Sequence, residues 1–352
     1  MNADSDYTCG LIDHTLLEEH SPIHAGASRS EKLMLALIAQ QRQQIDRCLM
    51  AVDPERVAVV IGSTAGGMAE AEGSRKPGHQ FGPEYDFRFQ RLSTPARFVA
   101  KELNACGLVT GVSTACTSGA RAIGLGMRWL ELGWCDLAIV GGADVMCDTT
   151  VKGFASLEAL SEGYCKPFDQ HRDGINLGEG GALLVLSSRQ ADKKNVVEVA
   201  GYGESMDAWH LSAPHPQGNG IATAMQDALS MAMCTPENIG YINMHGTATP
   251  HNDVMEAWAV LRVLGSKVPV SSTKPMTGHT LAGAGALEAT ICYALAKGDL
   301  GGLPVQHGML LQDPQIDDLK VILRDETMLQ RRAIMSNSCG FGGHNTSLVL
   351  TS

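Results

Sequence analysis

The chain has 352 residues, 44% of them hydrophobic and 18% charged, and a formal net charge of −11. That length passes the size at which one core stops growing and predicts two structural halves, while the acidic balance and the lack of a long Lys/Arg run argue against a nucleic-acid surface. No stretch approaches the ~20 apolar residues that span a bilayer, and Met1 to Asp6 show no basic segment leading into an apolar core, so the expected location is cytoplasmic.

In chain order, residues 28–50 mix Leu, Ile and Ala with Gln and Arg at helical spacing and predict a helix, and the β-branched run 56–61 predicts a buried strand. Residues 66–82, rich in Gly and charge, read as a surface excursion that helps rim a site; 94–103 read as a helix. Residues 108–114 are β-rich. From Thr117 onward Ala120, Ile123, Met127 and Leu130 recur at three- and four-residue intervals, a helix stopped at Gly133 and followed by a strand over 135–140. Further strands at 181–186, 196–201, 239–244, 268–272 and 347–350, with helices between several of them, give the alternation of an α/β fold. The expected halves are residues 1–195 and 196–352, with no sequence repeat between them. The ten cysteines, dispersed and without CxxC pairing, read as reduced, mostly buried small hydrophobes.

Cys116 lies in Ser113-Thr114-Ala115-Cys116-Thr117-Ser118-Gly119-Ala120, bracketed by small residues at a strand-to-helix junction. Small neighbours are expected to leave the sulfur accessible, and the partial positive charge at a helix N-terminus to lower its pKa. The plainer alternative is a cysteine that only packs, as Cys106, Cys135 and Cys147 are expected to do. His245 opens Gly246-Thr247-Ala248-Thr249-Pro250, and His279 closes Lys274-Pro275-Met276-Thr277-Gly278-His279. Both follow strand-like segments, and ligand crevices open at the carboxyl ends of strands in α/β sheets, so the three side chains can converge; either histidine alone reads as well as a structural one. Together they suit more than hydrolysis. Cys116 can hold an acyl group as a thioester, and two imidazoles donating from Nε2 can stabilise the enolate left when a malonyl thioester loses carbon dioxide. Gly340-Phe341-Gly342-Gly343 offers amides to a tetrahedral oxyanion and lacks the Lys-Ser/Thr ending of a phosphate loop.

The ordered series Thr114-Ala115-Cys116-Thr117-Ser118-Gly119, Lys166-Pro167-Phe168-Asp169, Arg172-Asp173-Gly174, Leu177-Gly178-Glu179-Gly180, the two histidine motifs and Asn337-Ser338-Cys339-Gly340-Phe341-Gly342-Gly343 resembles the β-ketoacyl-acyl carrier protein synthase I/II class of condensing enzymes, from about residue 56 to the C-terminus. The resemblance implies a thiolase-like five-layered αβαβα fold of two similar halves, and a homodimer or a dimer with a related subunit. It also implies an acyl carrier protein that brings substrate on its phosphopantetheine arm, with no tightly bound cofactor and no metal. It assigns Lys274 and Glu288 as charged support and Asp253 and Glu256 as a loop acidic pair. Thr247 and Thr249 correspond to the hydroxyls that hold the arm. The Cys116 and Phe341 amides correspond to the oxyanion hole, and Phe341 to a gate. Threonines that cap a turn and a phenylalanine that anchors its loop are the bland alternatives. The separated cations Lys76, Arg88 and Arg91 are candidates for the acidic carrier, against a reading as scattered solvated charges.

Within the class, Lys274-Pro275, Gly278-His279-Thr280-Leu281 and residues 174–180 look most like aryl polyene pigment ketosynthases, which implies an unsaturated or aryl-primed chain, although a housekeeping elongase carries the same catalytic set. The first fifty residues match poorly, and a missing first strand leaves a sheet edge for a partner to cover. Cys165 and Cys339 depart from the family pattern as packing variation. A thiolase or a three-type ketosynthase has a cysteine or an asparagine where the second histidine stands here, and chain-length-factor partners lack the nucleophile. A metal site from His245, His251 and Asp253 has no recognised ligand spacing, and a cysteine hydrolase has no need of two histidines.

Overall fold

The computed structural model describes residues 7–18, 26–78, 80–188, 196–324, 328, 329, 331 and 333–352; Met1 to Asp6 and the stretch 189–195, where the two halves are expected to divide, lie outside them. The first half contains α1 (His14–Glu18), α2 (Arg29–Gln40), α3 (Arg42–Leu49), β1 (Val57–Gly62), α4 (Met68–Gly73), α5 (Thr94–Glu102), β2 (Val109–Val112), α6 (Ser118–Glu131), β3 (Leu137–Asp144), α7 (Asp148–Ser156) and β4 (Gly180–Ser187). The second contains β5 (Glu198–Met206), α8 (Asn219–Met231), β6 (Ile239–Asn243), α9 (Pro250–Leu264), β7 (Val270–Ser271), α10 (Lys274–Thr277), α11 (Ala284–Lys297), β8 (Ala333–Cys339) and β9 (His344–Thr351).

Two sheets result, ordered β2-β1-β3-β4 and β5-β9-β8-β6-β7. In the first, β1 is parallel to β2 and β3, and β4 is antiparallel to β3. The second repeats this with β6 parallel to β7 and β8, and β9 antiparallel to β8. It then adds β5 antiparallel to β9. Among the described residues the first sheet has no counterpart of β5, so β4 ends it, as the poorly matching N-terminus leads one to expect.

The period of two in the strands builds the layers. Val57, Val59 and Ile61 of β1 and Leu137 and Ile139 of β3 pack on α2 and α5. The intervening Ala58, Val60, Ala138 and Val140 face inward, onto Ala122, Ile123 and Met127 of α6. From the other side Tyr241, Ile334, Leu348 and Leu350 close on the same central layer with Ala289 and Cys292 of α11. Met335 and Val349 point outward to Ile221 and Met225 of α8 and Ala257 and Val260 of α9. The order is helix, sheet, helix pair, sheet, helix: the five-layered thiolase-like fold. Each fully buried Val, Leu or Ile in such layers contributes roughly 1.5–3 kcal/mol.

Some boundaries differ from the sequence reading. Residues 28–50 break at Gln41 into α2 and α3, and α2 opens with a capping box between Ser28 and Glu31. The strand expected at 108–114 is only Val109–Val112, residues 66–82 contain the short α4, and β8 was not anticipated.

Candidate active site

Cys116 stands two residues before α6, in a bend where Ala115 takes the left-handed φ of 52°. A non-glycine residue there costs on the order of 1–3 kcal/mol and persists only where its surroundings fix it. They do so here: the Ser118 hydroxyl donates to Ala115 O at 2.6 Å and accepts from Thr114 N–H at 2.9 Å, and the Thr117 hydroxyl donates to Thr114 O at 2.7 Å. The small-residue crossing of α6 and α11 brings the second half against this bend. A Cβ on Gly119 would lie 2.6 Å from Ala282 O, and one on Gly285 2.8 Å from Ala120 N.

His245 projects just beyond β6. Its backbone N–H, and that of Gly246, donate to Glu256 at 2.8 and 2.9 Å. His279 follows α10 and is registered by the first half, since its N–H donates to Asn176 O at 2.7 Å and its carbonyl accepts from Gly178 N–H at 3.0 Å. The result is convergence: His279 Nε2 is 3.0 Å from Cys116 Sγ, and the two imidazoles meet edge to face at 5.2 Å.

The surroundings assign the tautomers. Lys274 Nζ donates to His245 Nδ1 at 3.2 Å and pairs with Glu288 Oε1 at 2.5 Å, so the proton of His245 resides on Nε2. Nδ1 of His279 is buried without a partner. Orphaned buried N–H groups are rarer than orphaned acceptors, so the proton of His279 is assigned to Nε2. Both pKa values fall well below the ordinary 6.5, first through burial and then through the Lys274 charge. A neutral Nε2–H of His279 therefore faces the sulfur, and a neutral His245 lies beside it, with ligand atoms of all three residues within 4.8 Å of one another.

Cys116 departs from the expectation of an accessible, acidified thiol. It is only 6% exposed, and burial pushes its pKa up to about 11; Lys274 and the N–H groups of Phe341 and Cys116, both hydrogen-bonded to it, offset this in part. The penalty for a buried thiolate outweighs the helix terminus, whose first turn begins two residues later. Those same two N–H groups are the ones expected to form an oxyanion hole.

Asp253 and Glu256 are not a loop pair, as expected, but lie in the first two turns of α9, fully buried. Asp253 accepts from Phe168 N–H at 2.9 Å and Ala248 N–H at 3.1 Å. Burial raises both pKa values, that of Glu256 to about 7. They hold the loops on either side of the site, Glu256 through the His245 and Gly246 backbone. His251 is exposed on the same helix, away from the Cys116, His245 and His279 group, whose ligand atoms lie within 4.8 Å of one another. Two ligands of a tetrahedral zinc sit about 3.6 Å apart for S and N; the 3.0 Å contact between Cys116 and His279 is hydrogen-bond geometry. Arg88 pairs with Asp86, which neutralises one charge of the suggested basic patch, while Arg91 lies over the Phe87 ring and keeps its charge.

Two cavities meet at Cys116. One, of about 60 Å³, is a cleft lined by both histidines, Thr247, Thr249, Ser212, Pro214 and Phe341; the Thr247 and Thr249 hydroxyls bond each other at 2.9 Å at its wall. The other, of about 450 Å³, holds no histidine and is lined mainly by Thr64, Met68, Leu281 and residues of α7. Phe341, 38% exposed, stacks on Phe154 of α7 at 5.4 Å, and the pair borders both cavities. Phe154 was not anticipated; its signal was an aromatic residue at helical spacing, which sequence alone assigns to packing. Asp207, another missed residue, accepts from Asn345 Nδ2 at 2.8 Å and His215 N–H at 2.9 Å, and its N–H donates to Gly343 O.

A doubled α/β fold with a cysteine at the start of a central helix and two histidines delivered from the other half defines a thiolase-like condensing enzyme. The "Beta-ketoacyl synthase, N-terminal domain" family matches residues 34–191 and the "Beta-ketoacyl synthase, C-terminal domain" family residues 196–300. The chain is similar to 3-oxoacyl-[acyl-carrier-protein] synthase 2 of Staphylococcus aureus (strain COL), 37% identical over 368 residues covering 98% of this chain and 87% of that protein. Among solved structures it is similar to a ketosynthase (ApeO) in complex with its chain length factor (ApeC) from Xenorhabdus doucetiae, with 38% identity, a TM-score of 0.85, and 99% of this chain and 85% of that one covered. The ishigamide ketosynthase/chain length factor gives 27% identity and a TM-score of 0.84 over 94% of this chain and 83% of that one. The chain belongs to the β-ketoacyl synthase family.

Proposed function

We propose that the protein is a 3-oxoacyl-acyl carrier protein synthase, joining an acyl group held on Cys116 to the two-carbon unit left when a malonyl thioester loses carbon dioxide. The convergence of His279 Nε2 on Cys116 Sγ at 3.0 Å, with His245 held by Lys274 beside it, carries the reading. In the first half-reaction Cys116 attacks the acyl thioester and the carrier thiol leaves. The carbonyl oxygen becomes negative next to the N–H groups of Cys116 and Phe341, which already aim at the sulfur. The acyl chain then occupies the larger cavity. A malonyl thioester enters the histidine-lined cleft, its phosphopantetheine arm against Thr247 and Thr249. As the carbon–carboxylate bond breaks, the thioester oxygen gains charge opposite the two Nε2–H donors. The enolate carbon attacks the acyl carbonyl, and collapse of the adduct breaks the C–S bond and releases Cys116 as a thiolate, which takes up a proton from water to restore the resting thiol. Neutral imidazoles suit this role, since their protons are donated as hydrogen bonds and not transferred. Lys274 and Glu288 fix His245, and Asp253 and Glu256 fix the loops around it.

The arm is supplied by the carrier, so no tightly bound cofactor enters the scheme, and the reading goes with a cytoplasmic enzyme; among the described residues no helix is long and apolar enough to cross a membrane. A division at residues 195/196 separates the half that bears the nucleophile from the half that bears both histidines. A dimer, with a second copy or a related subunit, is supported by the edge strand β2, where Val109 and, just before the strand, Leu108 are exposed. Lys274-Pro275, Gly278-His279-Thr280-Leu281 and residues 174–180, which look like those of aryl polyene ketosynthases, support an unsaturated or aryl-primed substrate. Intact-protein mass spectrometry tests the whole: acyl-carrier proteins bearing saturated, unsaturated and aryl primers should load wild type and not Cys116→Ala, and malonyl-carrier protein should discharge the adduct as a β-ketoacyl product. Lack of an adduct with every primer overturns the proposal.

A further inference from the structure

The reaction as described leaves a buried acid close to Cys116 unused. Asp144 ends β3 and is 1% exposed. Its carboxylate accepts from Ser63 Oγ at 2.9 Å, Thr64 N–H at 2.9 Å and Ala65 N–H at 3.0 Å, from the Thr64 hydroxyl, and from Ala282 N–H at 3.0 Å. Burial raises the pKa of Asp144 above the ordinary carboxylate range, and the three N–H groups and the Thr64 hydroxyl that donate to it pull back toward the ionised acid. The partners come from both halves. Ser63, Thr64 and Ala65 leave β1, and Thr64 lines the larger cavity beside Cys116. Ala282 is three residues past His279, and its carbonyl is the group that Gly119, just inside α6, must be a glycine to admit.

Resting on the reaction proposed above, we infer that Asp144 is a positioning residue of the condensing site: by binding the cavity wall and the His279 loop to one carboxylate, it fixes His279 Nε2 relative to the sulfur. Its negative charge reaches Cys116 as well, opposing Lys274 and the two N–H groups and helping to push the thiol up. A shift of about 1 Å in His279 suffices to cost ~100-fold in a step that depends on its geometry, whereas loading of Cys116 depends mainly on the two amides.

Asp144→Asn tests this, because it keeps the shape, removes the charge and turns an NH2 toward a site where three backbone N–H groups only donate. Three readouts are compared with wild type: acyl adduct formation, malonyl-carrier decarboxylation, and the pH profile of iodoacetamide labelling at Cys116 with His245, His279, Lys274 and Cys339 intact. The expected result is decarboxylation down ~100-fold, loading reduced much less, and the labelling profile moved to lower pH. Thr64→Val, which removes one donor without a change of size, should give the same ranking at about 10-fold, and decides the matter if Asp144→Asn does not fold. Equal losses in both half-reactions with an unmoved labelling profile, or wild-type rates, overturn the inference. A wild type that decarboxylates no malonyl carrier sinks the proposed reaction instead, and the labelling profile then still decides whether Asp144 acts on the site.

Discussion

Lys274→Met should strand the Glu288 carboxylate. The two side chains are 2% and 4% exposed and 2.5 Å apart, and burial already holds the carboxyl of Glu288 above its ordinary range, with Lys274 pulling it back. Without the ammonium, Glu288 either remains charged, at a penalty of roughly 3–5 kcal/mol, or takes up a proton. At pH 7, protonating a carboxyl of ordinary pKa ~4.3 costs about 4 kcal/mol, so both routes arrive at the same size. The second also fixes the pH dependence. A carboxyl whose folded pKa is raised supports the fold at pH values below ~4.3 and loses that support as pH climbs toward the folded value. The penalty should therefore fall to about 1 kcal/mol at pH 5. Urea unfolding at one fixed protomer concentration, at pH 5 and pH 7, measures it. Lys274→Met/Glu288→Leu removes both charges and should return within ~1–2 kcal/mol of wild type at pH 7. Decarboxylation should stay low in the double variant, because His245 has lost its Nδ1 donor. A single-variant penalty below ~1 kcal/mol at pH 7, or an equal penalty at both pH values, refutes the assignment of the pair.

His279→Ala should keep the acyl adduct and lose malonyl decarboxylation by roughly 100-fold or more, measured as carbon dioxide release; equal loss of both would mean His279 serves loading instead. Burial of Cys116 predicts that iodoacetamide labels it more slowly at pH 8 than the exposed Cys106, with a rate that keeps rising toward pH 11; a plateau below pH 9 would show the helix terminus winning. Gly119→Ala forces a Cβ to within 2.6 Å of Ala282 O and should cost ~1–3 kcal/mol and depress turnover. Gly73→Ala meets nothing within 4 Å and should leave both within ~1 kcal/mol of wild type.

The sequence made the centre of the site legible because its chemistry is written in short, local motifs. Cys116 between small residues, and histidines at the ends of apolar runs, show through any fold. What burial does to those groups is not local: the sulfur's pKa depends on Asp144, Lys274 and Phe341, which are 28, 158 and 225 positions away, and the helix signal read at Thr117 pointed the wrong way. β8 was missed because Ser336, Asn337 and Ser338 interrupt its apolar pattern, yet all three are buried, with Asn337 bonded to Glu256 and Ser347. A central strand that feeds a polar site does not look like a strand core. Pro250 at the first position of α9 is a helix-start signal that the reading of Asp253 and Glu256 as a loop pair passed over. The one visible hint of Asp144 was an acid ending the otherwise apolar Leu137–Asp144.

The rung that His279 makes with Asn176 and Gly178 ties the second half's own catalytic side chain into the first half's backbone. A molecule laced in this way cannot admit substrate as a clam shell does, because parting the halves would draw Nε2 off the sulfur. Entry falls to the rim, where Gly342 N–H donates to Leu211 O at 2.7 Å and one such bond can break while the frame stands still. For an engineer the implication is a division of labour: rim loops can be exchanged to change what enters, while a cut between the halves leaves neither piece with a working centre.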